Sequence, residues 1–135
     1  MSRSLQSVLG AFVIILVTSA CSSDATGARA VAERFLDQHY VRIDVEASKP
    51  FCTGLALQKL RDEQRLTQGQ AIDDSTRKPT VHYKLLETKD DAEHPSFLFE
   101  GTIEVEDAGQ FKRKWLVSTR RDGDGWKVSN FEEFE

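Results

Sequence analysis

This 135-residue chain has few of the residues that usually carry chemistry. It contains only two cysteines and three histidines. They occur at no spacing typical of a zinc site, and the chain has no phosphate-binding loop, dinucleotide fingerprint or nucleophile elbow. The segment Asp122-Gly-Asp-Gly lacks the later acidic ligands of a calcium loop and is interpreted as a hairpin turn. We therefore expect no metal ion and no cofactor.

The chain also lacks an excess of positive charge. It has 18 lysine and arginine residues against 22 aspartate and glutamate residues, a formal net charge of -4. Proteins that bind nucleic acid through its phosphates need a clustered basic face and are usually basic overall. Nucleic acid is therefore not an expected partner.

The N-terminal apolar run is too short to cross a membrane. It extends from Val8 to Ala20, whereas a spanning helix needs roughly 17 to 25 residues. A short charged segment precedes it, and small residues precede Cys21, which is the outline of a bacterial lipoprotein signal. Residues 1–20 are predicted to be the signal peptide, and residues 21–26 the lipidated cysteine and a short tether. Thr18 stands where such signals usually carry a large aliphatic residue, so plain secretion and an uncleaved anchor remain alternatives.

Resemblance to lipoproteins implies that Cys21 carries a diacylglycerol and usually an N-acyl chain. Two or more chains anchor a protein stably, whereas one is marginal. Ser22 rather than aspartate after the cysteine favours the outer membrane, with the domain facing the periplasm. Cys52 then has no partner within the chain and is predicted to be a buried thiol. If Cys21 keeps a free thiol instead, a Cys21–Cys52 disulfide becomes possible in that oxidising compartment.

Residues 27–135 form one domain, with helices in its first half. Apolar residues at steps of three and four predict an amphipathic helix over roughly 26–43. Pro50 interrupts the helical pattern. Thr53 is a candidate N-cap for a second helix, and Gly69 is a candidate C-terminal stop for it. The apolar stripe of that second helix is predicted to comprise Leu55, Ala56, Leu60 and Leu66.

The second half of the domain shows the period of two that is typical of half-buried antiparallel strands. A three-residue loop over 107–109, with Gly109 in the left-handed conformation, predicts a hairpin. The predicted cross-strand pairs are Glu104 with Lys112, Val105 with Phe111 and Gly101 with Trp115. The predicted core-facing strand residues are Val81, Tyr83, Leu85, Phe97, Phe99, Ile103, Val105, Phe111, Trp115 and Val117.

Two helices followed by a meander of about four strands resemble the nuclear transport factor 2-like (SnoaL/cystatin-like cone) domains, and in particular the small bacterial lipoproteins among them. The resemblance rests on the opening Ala-Val-Ala-Glu-Arg-Phe-Leu-Asp helix and the closing Gly-Trp-Lys-Val strand. It implies an α+β fold in which helices pack on a curved antiparallel sheet around a conical cavity. Some members use this cavity for isomerase or dehydratase chemistry, and many others serve only in binding or pairing.

The predicted core face offers no acid or base for such chemistry. It carries no aspartate, glutamate or histidine; His39 is expected at the surface or hydrogen-bonded, and His82 on the opposite strand face. We therefore do not expect an enzyme.

Arg113 is the exception on the predicted core face, because a buried guanidinium must be paired or bind an anion. One interpretation places it near the end of the sheet, where it stacks on an aromatic side chain or pairs with a carboxylate such as Asp44 or Glu46. The other is a ligand anion, with an apolar pocket wall formed by Tyr83, Phe99 and Trp115.

Three hypotheses about function follow. The first is a non-catalytic envelope lipoprotein whose cone domain binds a membrane-proximal partner protein or a small ligand. The second is a structural module that forms homodimers, and the third is a small enzyme of the isomerase or dehydratase type.

Overall fold

A computed structural model of the protein describes residues 23–70, 78–123 and 125–135. The predicted signal peptide and Cys21 lie outside the described residues, as does most of the polar segment between Gly69 and Pro79. The first helix begins at Ser23, earlier than the predicted start near residue 26. Residues 23–26, predicted to be tether, are therefore helical.

The helical half of the described chain comprises α1 (Ser23–Leu36), a π-helical turn (Asp37–Val41), α2 (Val45–Ser48), a 3-10 turn (Lys49–Phe51) and α3 (Gly54–Leu66). The predicted apolar stripe of α1 is confirmed, because Ala28, Ala32, Phe35 and Leu36 are fully buried. Burial of this stripe against the sheet is the main source of stability for such a helix.

The prediction for α3 was right in its extent and partly wrong in its buried face. Ala56 and Leu60 are fully buried, but Leu55 and Leu66 are exposed. At 100° per residue, Leu55 lies a quarter-turn from Ala56, and Leu66 lies well off the line through Ala56 and Leu60. Thr53 is the N-cap residue, but its hydroxyl donates to Asp122 Oδ2 at 2.7 Å instead of accepting from the helix.

Four antiparallel strands follow in the order in which they occur along the chain. They are β1 (Thr80–Lys89), β2 (Ser96–Val105), β3 (Gly109–Asp122) and β4 (Gly125–Phe134). α1 packs on β3 and β4, and α3 packs on β4. The strand pairing is interrupted by one extra residue in β1, Leu86, and one in β4, Ser129, and β-bulges of this kind bend a strand. The face of the sheet that meets the helices is called the inner face here, and the opposite one the outer face.

The predicted register between β2 and β3 was wrong by two residues. Val105 pairs with Gly109 and Gly101 with Arg113, so that Trp115 lies opposite Phe99. The loop occupies residues 106–108, one position earlier than predicted. Moving a loop by one residue moves every pair by two, which leaves each side chain on its predicted face.

The core of the domain lies on the inner face. The buried apolar side chains of the strands there are Val81, Phe97, Phe99, Trp115, Val117, Trp126 and Val128. Phe111 was predicted to join them, but 45% of it is exposed. It lies two residues after Gly109, at the hairpin end of the sheet, where the face is less covered.

The indole of Trp115 lies over Gly101, as the sequence suggested. The residue directly opposite Gly101 on β3 is nevertheless Arg113, and Trp115 is opposite Phe99. A Cβ atom at Gly101 would lie 2.1 Å from Cη2 of Trp115, far inside van der Waals contact. Trp115 is itself fully buried, so the ring has little room to move away. Only glycine fits at this position.

We predict that Gly101→Ala lowers the free energy of unfolding by about 1–3 kcal/mol, the range for overpacked cores. Gly125→Ala is the matched control, because nothing lies within 4 Å of a Cβ there, and it should change stability by less than about 0.5 kcal/mol. Chemical denaturation measures both. In a Trp115→Ala background the effect of Gly101→Ala should shrink, and an undiminished effect there would contradict the contact.

Candidate functional site

Two of the predicted site residues, Phe99 and Trp115, are fully buried core residues. The indole Nε1 of Trp115 donates to Glu133 Oε2 at 2.8 Å, and the Tyr40 ring stacks on the indole at 4.1 Å between centroids. Gly101 lies against the six-membered ring of the same indole. In this conformation the indole offers no free surface to a ligand.

Tyr83 connects the sheet to the end of α1. Its hydroxyl donates to Asp37 Oδ1 at 2.7 Å and lies 3.3 Å from the carbonyl of Glu33. Burial, together with the hydrogen bond and negative charge of Asp37, raises the pKa of Tyr83 well above its usual value. The phenol therefore stays neutral and acts as a donor. Its ring packs edge-to-face on Phe99, so it lies next to the other candidates.

Arg113 lies on the inner face as predicted, but it is only half-buried, with 32% of its side chain exposed. Arg113 is paired with carboxylates, as one interpretation predicted, but Asp44 and Glu46 are not its partners. The guanidinium lies 3.9 Å from Glu133 and 3.8 Å from Glu135, both at the end of the neighbouring strand. Its Nη1 also donates to the backbone carbonyl of Lys112. The four candidates therefore lie close together, but only Arg113 and Tyr83 reach solvent.

The inner face does carry a carboxylate, which the sequence analysis missed. Glu133 lies opposite Trp115 in the register and accepts the hydrogen bond from its indole. Its side chain is 48% exposed, so it lies at the rim of the inner face and not in the core. The carboxylate, like Arg113, is accessible to solvent.

His39 is the polar side chain that the sequence analysis placed least well. It is 9% exposed, whereas a surface or fully hydrogen-bonded residue was expected. Its Nε2 lies 2.8 Å from Glu63 Oε2, but Nδ1 is buried with no hydrogen-bond partner. The ring stacks on Phe35 at 5.2 Å and contacts Phe131 at 5.1 Å. The sequence held a signal, since His39 continues the four-and-three spacing of the stripe in α1.

The π-helical turn explains why two neighbouring residues both point inward. The Arg42 backbone N–H donates to the carbonyl of Asp37 at 3.0 Å, which closes a turn one residue wider than that of an α-helix. His39 and Tyr40 then contact each other edge-to-face at 4.4 Å. The chain next takes a left-handed conformation at Ile43, with φ of 56°. This is unusual for a β-branched residue, and such strain often accompanies functional sites.

A groove of about 730 Å³ lies between this strained segment and the C-terminal part of α3. We call it the α3 groove; it is lined by Arg42, Ile43, Asp44, Val45, Arg61, Glu63, Gln64, Arg65, Thr67, Gln68, Gln70 and Lys78. Its volume falls within the range of small-molecule sites. This groove was not predicted from the sequence, although Arg61 and Arg65 are four residues apart on a predicted helix and therefore share a face.

Cys52 is a buried free thiol, which confirms the prediction made for it. Burial raises its pKa to about 12, against a smaller opposing effect of the positive charge on Lys127. The thiolate is the reactive form of cysteine, so this residue is unreactive in the folded protein.

Within residues 23–70, 78–123 and 125–135, His, Cys, Asp and Glu side chains form no group of three or more that could hold a metal ion. In the same part of the chain, no helix is both long and apolar enough to span a membrane.

Comparison with known proteins supports the fold and does not identify a function. No protein-family model matches the chain, and no curated protein matches its sequence. Among solved structures it is similar to a Thiobacillus denitrificans protein described as a calcium/calmodulin-dependent protein kinase type II association domain. That match has a TM-score of 0.58 and 11% identity, and it covers 78% of this chain and 91% of the other.

A second similar structure is a hypothetical protein with a ketosteroid isomerase-like fold from Catenulispora acidiphila, solved in complex with trimethylamine. The TM-score is 0.50 and the identity 7%, with 78% of this chain and 84% of the other covered. Together with the helices packed on a four-stranded antiparallel sheet, these neighbours support a nuclear transport factor 2-like cone fold.

We predict that Glu63→Ala lowers the free energy of unfolding by about 1–3 kcal/mol, because it leaves both ring nitrogens of His39 without a partner. His39→Phe removes the buried polar atoms and keeps the stacking, so it should be close to neutral or stabilising. Thermal or chemical denaturation of the two variants measures the difference. A His39→Phe variant that is less stable than Glu63→Ala would contradict this account.

Proposed function

We propose that this protein is an envelope lipoprotein whose cone domain serves as a non-catalytic binding or accessory module close to the membrane. The observation that carries the binding role is the contrast between the two candidate sites. The inner face of the sheet is filled by large buried side chains, including Phe35, Phe99 and Trp115. A groove of about 730 Å³ lies instead on the polar side of α3.

The geometry of His39 supports a non-catalytic role. General acid–base catalysis requires a group within hydrogen-bonding reach of the substrate. Nε2 of His39 is hydrogen-bonded to the Glu63 carboxylate, and Nδ1 is buried in the protein. The imidazole therefore cannot exchange a proton with a bound molecule in this conformation.

The lipid anchor is supported by the sequence of the signal, and the start of α1 limits how far the domain would lie from that anchor. Because the helix begins at Ser23, only Ser22 separates it from Cys21. An extended chain spans at most about 3.6 Å per residue, so the domain would lie within about 10 Å of its anchor. A partner protein or ligand would then be met near the membrane surface, in the proposed case the outer membrane on its periplasmic side.

An enzyme of the isomerase or dehydratase type is the second candidate, and one observation favours it. Glu133 is a partly exposed carboxylate on the inner face, near Arg113 and held by the indole of Trp115. A carboxylate of this kind is the base that such chemistry needs. The packing counts against an enzyme, because Phe99 and Trp115 fill the inner face beside Glu133 and leave its carboxylate at the rim.

A homodimer that forms through the outer face is less favoured. Lys84 and Lys112 both lie 3.4 Å from Glu100, so an ion-pair ladder crosses the middle of that face. Stable homodimer interfaces are more apolar than this and are depleted in charged residues.

The anchor is tested by metabolic labelling with a fatty acid. Wild-type protein should take up label, and its mature N-terminus should be Cys21 carrying a diacylglycerol by mass spectrometry. Cys21→Ser should take up none. Cys52→Ser is the matched control and should be labelled like the wild type, because Cys52 is buried. An unlabelled wild type, or equal labelling of Cys21→Ser, would refute the lipoprotein assignment.

A further inference from the structure

The α3 groove carries more positive than negative charge, although the chain as a whole is acidic. Four cationic side chains line it, those of Arg42, Arg61, Arg65 and Lys78. Its acidic side chains are those of Asp44 and Glu63. The local excess of two positive charges contrasts with a net charge of -4 for the chain.

Both acids of the groove have partners other than its cations. Oδ1 of Asp44 accepts the backbone N–H of Ala47 at 2.9 Å and so caps α2. Oε2 of Glu63 lies 2.8 Å from Nε2 of the buried His39. Neither carboxylate forms an ion pair with the cations of the groove among the described residues.

Among the described residues, the cations of the groove have fewer charged partners. Arg65 lies 3.2 Å from Asp62, one turn away on the exposed surface of α3. For Arg42, Arg61 and Lys78 the described part of the chain offers no ion pair. Two of these three are guanidinium groups, which bind carboxylate and phosphate through paired N–H donors.

We propose that the α3 groove binds a small anion with at least two phosphate or carboxylate groups. Arg42 directly follows the π-helical turn and Arg61 lies on α3, so the two residues line the groove from separate elements. One guanidinium group from each of two elements suits an anion with two charged ends better than a single small ion. A volume of about 730 Å³ accommodates such a molecule.

This inference rests on the proposed binding role, since it names the class of ligand, but it does not depend on the lipid anchor. Its test therefore uses binding in solution, where an unlabelled Cys21 would not affect the result. Failure of the anion test with successful labelling would reject the groove alone. The reverse result would reject the anchor alone.

Isothermal titration calorimetry of the full-length protein in detergent tests the groove, with inorganic pyrophosphate as the probe. Pyrophosphate should bind more tightly than orthophosphate, and its affinity should fall as salt concentration rises. Arg42→Gln and Arg61→Gln should each raise the Kd by about tenfold or more, the effect expected when a charge-assisted hydrogen bond is lost. Both side chains are exposed, so the melting temperature should stay unchanged.

Arg34→Gln is the matched control, because Arg34 is an exposed arginine on α1 that does not line the groove. It should leave the Kd unchanged. Absence of measurable pyrophosphate binding at millimolar concentration would overturn the proposal. So would an Arg34→Gln variant that weakens binding as much as Arg61→Gln does, because the attraction would then be general.

Competition distinguishes a free anion from a lipid headgroup as the source of the charged groups. Short-chain cardiolipin, whose headgroup carries two phosphates, would identify a lipid headgroup if it displaces pyrophosphate at a lower concentration than citrate does. Displacement by citrate at the lower concentration would identify a free anion. Either result supports the groove as an anion site, whereas displacement by neither would overturn it.

Discussion

The packing of one indole against a backbone that has no side chain is the constraint on which much of this fold depends. Trp115 can lie flat on β2 only because residue 101 is glycine. Tyr40 stacks on the indole and so helps to bury it. Tyr40 can do so while His39 also faces the core because α1 ends in a wider π-helical turn. The next residues along the chain, 42–45, include Ile43 in its strained conformation and line one side of the α3 groove.

The elements and faces of the fold could be read from the sequence because they depend on periodicity. A period of two predicted the strands, and a two-residue error in register left every side chain on its face. Periodicity does not tell how far the opposing layer extends. Phe111 and Leu66 were therefore assigned to a core that does not reach them, one at the hairpin end of the sheet and the other at the end of α3.

The candidate site could be predicted only in part, because it depends on contacts between distant residues. The burial of His39 follows from the stripe in α1, but its pairing with Glu63, 24 residues away, does not. Arg113 was rightly placed on the inner face, yet its partners came from a strand whose register the sequence did not define. The π-helical turn has no sequence signal that distinguishes it from ordinary helix, so the groove behind it could not be anticipated.

The two ends of α3 are attached to the rest of the protein very differently. At its start, the backbone N–H of Thr53 donates to the carbonyl of Val128 at 2.9 Å, and its hydroxyl bonds to Asp122. Lys59 then donates to Asn130 and to the carbonyl of Phe131 on β4.

Beyond Glu63 the contacts of α3 are fewer and lie at the surface. Local opening of a structure requires less free energy where buried contacts and protected hydrogen bonds are sparse. Thermal fraying of α3 should therefore start at its C-terminal turn and stop near Lys59. Amide hydrogen exchange along this single helix would then be graded, fast beside the arginines and slow where the helix meets β4.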